Sequence, residues 1–209
     1  LSLLVDDFNG DGADDFLYNK FNTITQPFRT VAQRQDGFSI RETDLLENPL
    51  TVANNYAFSL ETDLNHDTEK EIAFTVITPP PDGTFNGSSL YLTNLNGDIL
   101  FGNGQPIPLV SCRLPDIANS SPSIGNFNGD TDDEIAVIHD HLDYCSNSNI
   151  RRSALEIFSR SGASLTPIPV PVNGLTNSSP ASADLDSDGK DEIIFGTEQG
   201  LYVYFPRTQ

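Results

Sequence analysis

The sequence predicts an all-β protein assembled from repeated units of about four antiparallel strands, and three observations carry that expectation. A nine-residue acidic pattern recurs four times, at 7–15, 63–71, 126–134 and 184–192, with starts separated by 56, 63 and 58 residues. Each copy runs directly into a short segment rich in β-branched and aromatic residues, the composition of strands. No window shows a convincing helical period of apolar residues. A repeat of this length holds one supersecondary unit that cannot bury its own faces, so neighbouring units must stack.

In chain order, the first unit opens on Leu1 to Val5, crosses its acidic loop and continues with Phe16 to Tyr18, Phe28 to Arg34 and Phe38 to Glu42, the last two joined by a Gln35-Asp36-Gly37 turn. The second comprises Tyr56 to Leu60, then Ile72 to Ile77, Ser89 to Asn94 and Ile99 to Phe101, with Asn96-Gly97 marking a hairpin. The third has Ile135 to His139, Leu155 to Ser159 and Leu165 to Ile168, with Arg160-Ser161-Gly162 as a turn. The fourth has Ile193 to Gly196 and Leu201 to Phe205 and no outer strand. Pro79 to Pro81 and Pro167 to Pro171 read as stiff connectors between strands. Asn119-Ser120-Ser121-Pro122 and Asn177-Ser178-Ser179-Pro180 stand seven residues before their loops, which implies equivalent places in a rotational array. The units are expected at about 1–50, 51–110, 111–172 and 173–209. Short four-stranded sheets repeated around an axis describe a β-propeller.

The acidic loops point to a hard cation. When a chain wraps round an ion, alternate residues turn inward, and Ca²⁺ takes roughly six to eight oxygens at about 2.3–2.6 Å. In the fourth loop Asp184, Asp186, Asp188 and Glu192 offer carboxylates at positions 1, 3, 5 and 9, and Gly189 at position 6 supplies a positive φ. The first loop matches it with Asp7, Asn9, Asp11 and Asp15 around Gly12. The second gives Asp63, Asn65, Asp67 and Glu71, and the third Asn126, Asn128, Asp130 and Glu134. Position 7 offers its backbone carbonyl, from Ala13, Glu69, Asp132 and Lys190. Thr68 and Thr131 replace glycine at position 6 of the inner copies, so these loops either bend differently or bind more weakly, positive φ costing a β-branched residue about 1–2 kcal/mol. An EF-hand shares the opening of the pattern but requires a bidentate Glu at position 12 and flanking helices. Position 12 is Tyr18, Phe74, Val137 or Phe195, and strands follow every loop.

DFNGDGADD, DLDSDGKDE and the paired Ser-Ser-Pro approaches resemble FG-GAP or VCBS repeats, the calcium-loop blades of integrin-α-like propellers. The resemblance spans the whole chain. It implies blades of a propeller, usually seven-bladed, with up to four Ca²⁺ ions here, each held in the hairpin between the first two strands of a blade. Thr68, Thr131 and Asn126 depart from the pattern, and four repeats are fewer than the usual ring holds. The expectation is therefore part of a larger ring, completed by further blades of the same precursor or of another chain.

Composition narrows the function. The net charge is −19, and 17 of the 30 acidic residues sit in the four loops, a concentration of like charge that cations would relieve. The same acidity argues against nucleic acid as a partner, and no apolar run is long enough for a membrane-spanning helix. The absence of methionine and of a signal segment reads as a processed chain or a piece of a longer one. Cys112 and Cys145 are expected to form one disulfide rather than remain two buried thiols, because low-affinity calcium loops belong outside the cell. Asn86, Asn119 and Asn177 begin glycosylation sequons, which have meaning only in a eukaryotic secretory pathway. His139 and His141 alternate near Asp140, Asp143 and Tyr144; a transition-metal site there competes with the preferred reading of solvated residues on a long loop. No nucleophile elbow, zinc-protease helix or phosphate-binding loop is present. The expected function is a secreted, non-catalytic, calcium-binding interaction module for a carbohydrate or protein ligand, lectin-like or adhesive, with an accessory domain of a larger secreted enzyme as the alternative.

Overall fold

Segments that alternate Val, Ile, Leu, Phe and Tyr with small or polar residues become short strands, and tight turns fold them back on one another. The computed structural model describes residues 3–7, 12–20, 29–34, 39–44, 57–61, 63–64, 70–78, 87–94, 98–109, 121–142, 151–166, 170–173 and 178–206. Among these the protein is all-β, with no helix, and its strands form four small antiparallel sheets in which consecutive strands are neighbours. Sheet 1 contains β1 (Leu3–Asp6), β2 (Asp15–Lys20), β3 (Arg29–Arg34) and β4 (Ser39–Asp44). Sheet 2 contains β5 (Ala57–Glu61), β6 (Glu71–Thr78), β7 (Gly87–Asn94) and β8 (Ile107–Leu109). Sheet 3 contains β9 (Ser123–Gly125), β10 (Glu134–Leu142), β11 (Arg151–Phe158) and β12 (Val170–Asn173). Sheet 4 contains three strands, β13 (Ala181–Ala183), β14 (Glu192–Thr197) and β15 (Gly200–Tyr204). Every acidic loop joins the first strand of a sheet to its second. The first strands lie side by side in chain order, β1 next to β5, β5 next to β9 and β9 next to β13.

Period-two alternation gives each sheet two faces, and the stacking uses them in a fixed sense. Numbered from the start of the loop, positions 11 and 13 of the second strand share one face with their partners on the third strand. Positions 10 and 12 share the other. In sheet 2 the 11/13 face carries Ala73, Leu90 and Leu92, which pack on Ile135, Val137 and Phe158 of the 10/12 face of sheet 3. In sheet 3 the 11/13 face carries Ala136, Ile138, Leu155 and Ile157, which pack on Ile193 and Phe195 of the 10/12 face of sheet 4, with Tyr202 and Tyr204 alongside. The core is thus a set of layers between sheets, each contributing aliphatic side chains from one sheet and aliphatic or aromatic ones from the next.

Two expected outer strands are displaced. Ile99 makes only an isolated bridge to Thr93, and Ser164, next to the expected Leu165 to Ile168, only one to Phe158. Regular pairing resumes later, at β8 and β12, each containing a proline, Pro108 and Pro171. Proline is tolerated on edge strands because an outward-facing position needs no N–H for the ladder. The same residue that suggested a connector at Pro167 to Pro171 therefore lies partly within a strand. Pro79 to Pro81, Cys112, Cys145, Asn86, Asn119 and Asn177 lie outside the described residues.

The reading of His139 and His141 as residues of a long loop is corrected, since both lie on β10, and for His139 the reading as solvated is corrected too. The β10–β11 ladder continues through His139↔Ala154 and His141↔Arg152 to Leu142↔Arg151. His139 is buried, with its Nε2 3.7 Å from Glu156 Oε2. The ladder outlasts the apolar run of β10, and it carries both histidines with it.

Candidate metal centre

Each sheet draws its acidic loop shut in the same way. The residue at position 9 is the first residue of the second strand, so the sheet fixes its backbone: Asp15 pairs with Asp6, Glu134 with Gly125 and Glu192 with Ala183. These acids are not solvated turn residues. Asp15, Glu71, Glu134 and Glu192 are only 1–2% exposed. Where the partner is described, one carboxylate oxygen accepts the backbone N–H of position 2, from Leu64 to Glu71 at 2.9 Å, Phe127 to Glu134 at 2.9 Å and Leu185 to Glu192 at 2.7 Å. A buried carboxylate is costly unless it is hydrogen-bonded or paired. Glu71 also has Arg160 of sheet 3, whose Nη2 lies 3.4 Å from Oε1. Burial pushes the Glu134 carboxyl up to about 7, with Asp130 adding to the rise, against the lowering effect of the Phe127 amide.

The fourth loop brings its carboxylates together. Gly189 takes φ +88° at position 6, and Ser187 takes φ +63° at position 4, which turns the chain through the tight arc the sequence requires. Asp184 accepts the amides of Asp188 and Gly189 at 3.2 and 3.1 Å, and Asp188 accepts that of Lys190 at 2.9 Å. One carboxylate oxygen from each of Asp184, Asp186 and Asp188 lies within 4.8 Å of the other two. Ligands on opposite sides of a Ca²⁺ ion stand at most about twice the 2.3–2.6 Å bond length apart, so these three oxygens fit one shell. All three side chains are exposed, which leaves a cation free access. Glu192 is buried and is not part of that convergent group.

The third loop bends differently, as its Thr131 allowed. Positive φ falls on Gly129 at position 4, +84°, as it does on Ser187 of the fourth loop, and Thr131 is not in that region. Threonine strain is absent because this loop keeps the left-handed residue at position 4 and lacks the one at position 6. Asn128 Nδ2 donates to Asp130 Oδ2 and to Glu134 Oε1, both at 2.7 Å, so one amide bridges two carboxylates that would otherwise repel. Asn126 accepts the Gly129 amide and donates to the Asp130 carbonyl, and Asp130 accepts the Asp132 amide. In the first loop Gly12 takes φ +84° and donates its amide to Asp7 Oδ2 at 2.7 Å, the same bond that Gly189 makes to Asp184. Ala13 and Asp15 flank it, while Asn9 and Asp11 lie outside the described residues. In the second loop Asp63 and Glu71 are described, and Asn65, Asp67 and Glu69 are not.

Sequence reasoning missed position 8, which ties each loop to the one before it. Lys70 Nζ lies 2.7 Å from Asp6 Oδ1, at the root of the first loop. The Asp133 amide donates to the Leu64 carbonyl at 3.2 Å. Asp191 makes a reciprocal pair with Asn126, its amide donating to the Asn126 carbonyl at 2.8 Å and its Oδ2 accepting the Asn126 amide at 3.1 Å. Gly125 makes room for that approach, since a Cβ there would collide with the Asp191 carboxylate. The available signal was Gly125 itself, a strand glycine where a neighbouring backbone comes close. The Ser-Ser-Pro approaches also meet, the Ser121 amide donating to Ser179 Oγ at 3.1 Å.

Comparison with models of known protein families gives no match, and a search of curated proteins gives none.

Replacing Glu192 by Ala removes the acceptor of the Leu185 amide. In chelator, where only the hydrogen bond is at stake, Glu192→Ala is expected to destabilise the protein by about 1–3 kcal/mol. Glu192→Gln, which keeps an acceptor oxygen, should cost less, and urea denaturation of the two variants against the parent checks the order.

Proposed function

We propose that this chain is a calcium-stabilised β-propeller segment of the FG-GAP or VCBS type that serves outside the cell as a non-catalytic interaction module for a carbohydrate or protein ligand. The observation that carries the reading is the convergence of Asp184, Asp186 and Asp188 in a loop whose equivalents sit between the first two strands of all four sheets. Asp184, Asp186 and Asp188 would hold a Ca²⁺ ion, with the Lys190 carbonyl and Glu192 as further oxygens. The ion would supply charge neutralisation and cross-linking of the loop. Four divalent ions would bring the net charge from −19 to −11. The first loop shares the glycine and aspartate bond of the fourth, and the Asn128 amide in the third eases the same repulsion without an ion, which supports weaker binding there. First strands in sequential contact support the arrangement of sheets around an axis, and loops gathered at strand ends form a surface suited to binding.

Thermal melting with and without chelator tests the stabilising role. One site at a hundredfold excess of calcium over its Kd adds about 2.7 kcal/mol, a rise of roughly 5–10 °C for a chain of this length. Asp188→Asn is expected to weaken the fourth site on the order of tenfold and to lose part of that rise. A glycan array read in calcium and in chelator tests the ligand class, with glycan binding expected only in calcium. Melting that ignores both calcium and chelator would refute the stabilising role.

A further inference from the structure

Loop 2 differs from its equivalents in what meets its buried acid. Glu71 Oε2 accepts the Leu64 amide at 2.9 Å, and its Oε1 accepts from Arg160 Nη2 at 3.4 Å. The Glu71 side chain is 3% exposed, so the guanidinium reaches a carboxylate that water barely touches. A carboxylate in that position is costly unless a positive charge pairs with it. Arg160 comes from the turn that follows β11, and that turn is fixed on sheet 2. Its Ser161 carbonyl accepts the Gly102 amide at 3.1 Å, and Gly162 lies against Phe101 and Ile107, where a Cβ would stand 3.3 and 3.4 Å from their side chains. Lys70, beside Glu71 in the chain, has its ammonium on Asp6 at 2.7 Å instead.

Register identifies the counterparts of Arg160. Thr93, Phe158 and Tyr204 stand opposite position 10 of sheets 2, 3 and 4. The second residue beyond each is Leu95, Arg160 or Pro206. Neither leucine nor proline carries a charge, so of these three places only the one that meets loop 2 supplies a cation. We propose that the Arg160 guanidinium is the resident counter-ion of loop 2 and takes over the charge neutralisation that calcium would supply, so that this loop closes without metal. A guanidinium brings charge and donors but no acceptor, and so cannot join a ligand shell. An ion bound to Oε1 at about 2.3–2.6 Å would lie no more than about 6 Å from Nη2, positive against positive. Loop 3 is different in kind. There Glu134 Oε1 accepts Asn128 Nδ2, and rotation of that amide turns its own oxygen toward an ion. With loop 2 occupied by Arg160, the chain takes at most three calcium ions, one fewer than its four loops suggest. The bearing on calcium rests on the reading of the loops as calcium sites; the ion pair itself does not.

Calcium counted by equilibrium dialysis, together with urea denaturation in chelator, tests it. The parent is expected to bind no more than three ions. Arg160→Met, which keeps most of the stem and drops the charge, should bind one ion more than the parent, and Arg160→Lys, which keeps a charge, the parent's number. In chelator Arg160→Met should lower the urea midpoint. In a Glu71→Gln background the same substitution should lower it by much less, because the carboxylate it would leave unpaired is gone. Arg160→Gln is the milder substitute if Arg160→Met does not fold in chelator. A parent that binds four ions, a count that Arg160→Met leaves unchanged, or a midpoint loss equal in both backgrounds would each overturn the proposal. No ion on the parent or on any variant overturns the calcium reading as well, whereas a parent that binds ions in a number indifferent to Arg160→Met overturns this inference alone.

Discussion

A carboxylate buried at the first residue of the second strand is the constraint on which each sheet depends. The strand needs pairing at that point, the loop needs an anchor for its second residue, and one acidic side chain meets both demands. Glu71, Glu134 and Glu192 each hold the amide of an apolar residue seven positions earlier. In loops 2 and 3 the residue so held, Leu64 or Phe127, lies in a layer between sheets, whereas Leu185, held by the same bond, is 52% exposed. Loop closure and core packing therefore coincide in loops 2 and 3. Removing the acid there would leave a buried amide unsatisfied and release a core residue together.

The same constraint concentrates negative charge. In loop 3 the buried Glu134 feels the Asp130 carboxylate at position 5, and burial already holds it well above the usual carboxylate range. The protein answers this demand in more than one way. Loop 2 receives the Arg160 guanidinium from the neighbouring sheet, and loop 3 inserts the Asn128 amide between two carboxylates. Loop 4 gathers three carboxylates around backbone amides of its own, an arrangement that a divalent ion would complete. Because position 8 ties each loop to its predecessor, charge relief in one loop bears on the geometry of the next.

The fold class was legible because two periods coexist in the chain: alternation of two within strands and a recurrence near sixty between loops. The second strands were placed well, since an acidic turn and an apolar run meet at a sharp boundary. The outer strands of sheets 2 and 3 were not, because Pro108 and Pro171 look like breaks until a sheet edge excuses them, whereas that of sheet 1, expected at Phe38 to Glu42, is β4. The inner strands β9 and β13 are three residues long and carry Ser, Gly and Ala, too little apolar content to register as strands at all. At the loops, the convergence of Asp184, Asp186 and Asp188 followed from side-chain chemistry. The role of position 8 did not, because Asp133 acts through its backbone amide and Asp191 through contacts 65 residues away. Of the two outcomes that Thr131 left open, the loop bends differently: position 6 has no positive φ, and Gly129 carries the one at position 4.

Anomalous diffraction from a crystal grown in calcium tests the central claim most directly, because it locates the ion rather than its consequences. The account predicts a calcium peak among Asp184, Asp186 and Asp188, with ligand oxygens at about 2.3–2.6 Å and a second peak inside the loop closed by Asp7 and Gly12. Loops without anomalous signal, their carboxylates still bonded to the backbone amides of Asp188, Gly189 and Lys190, would contradict it.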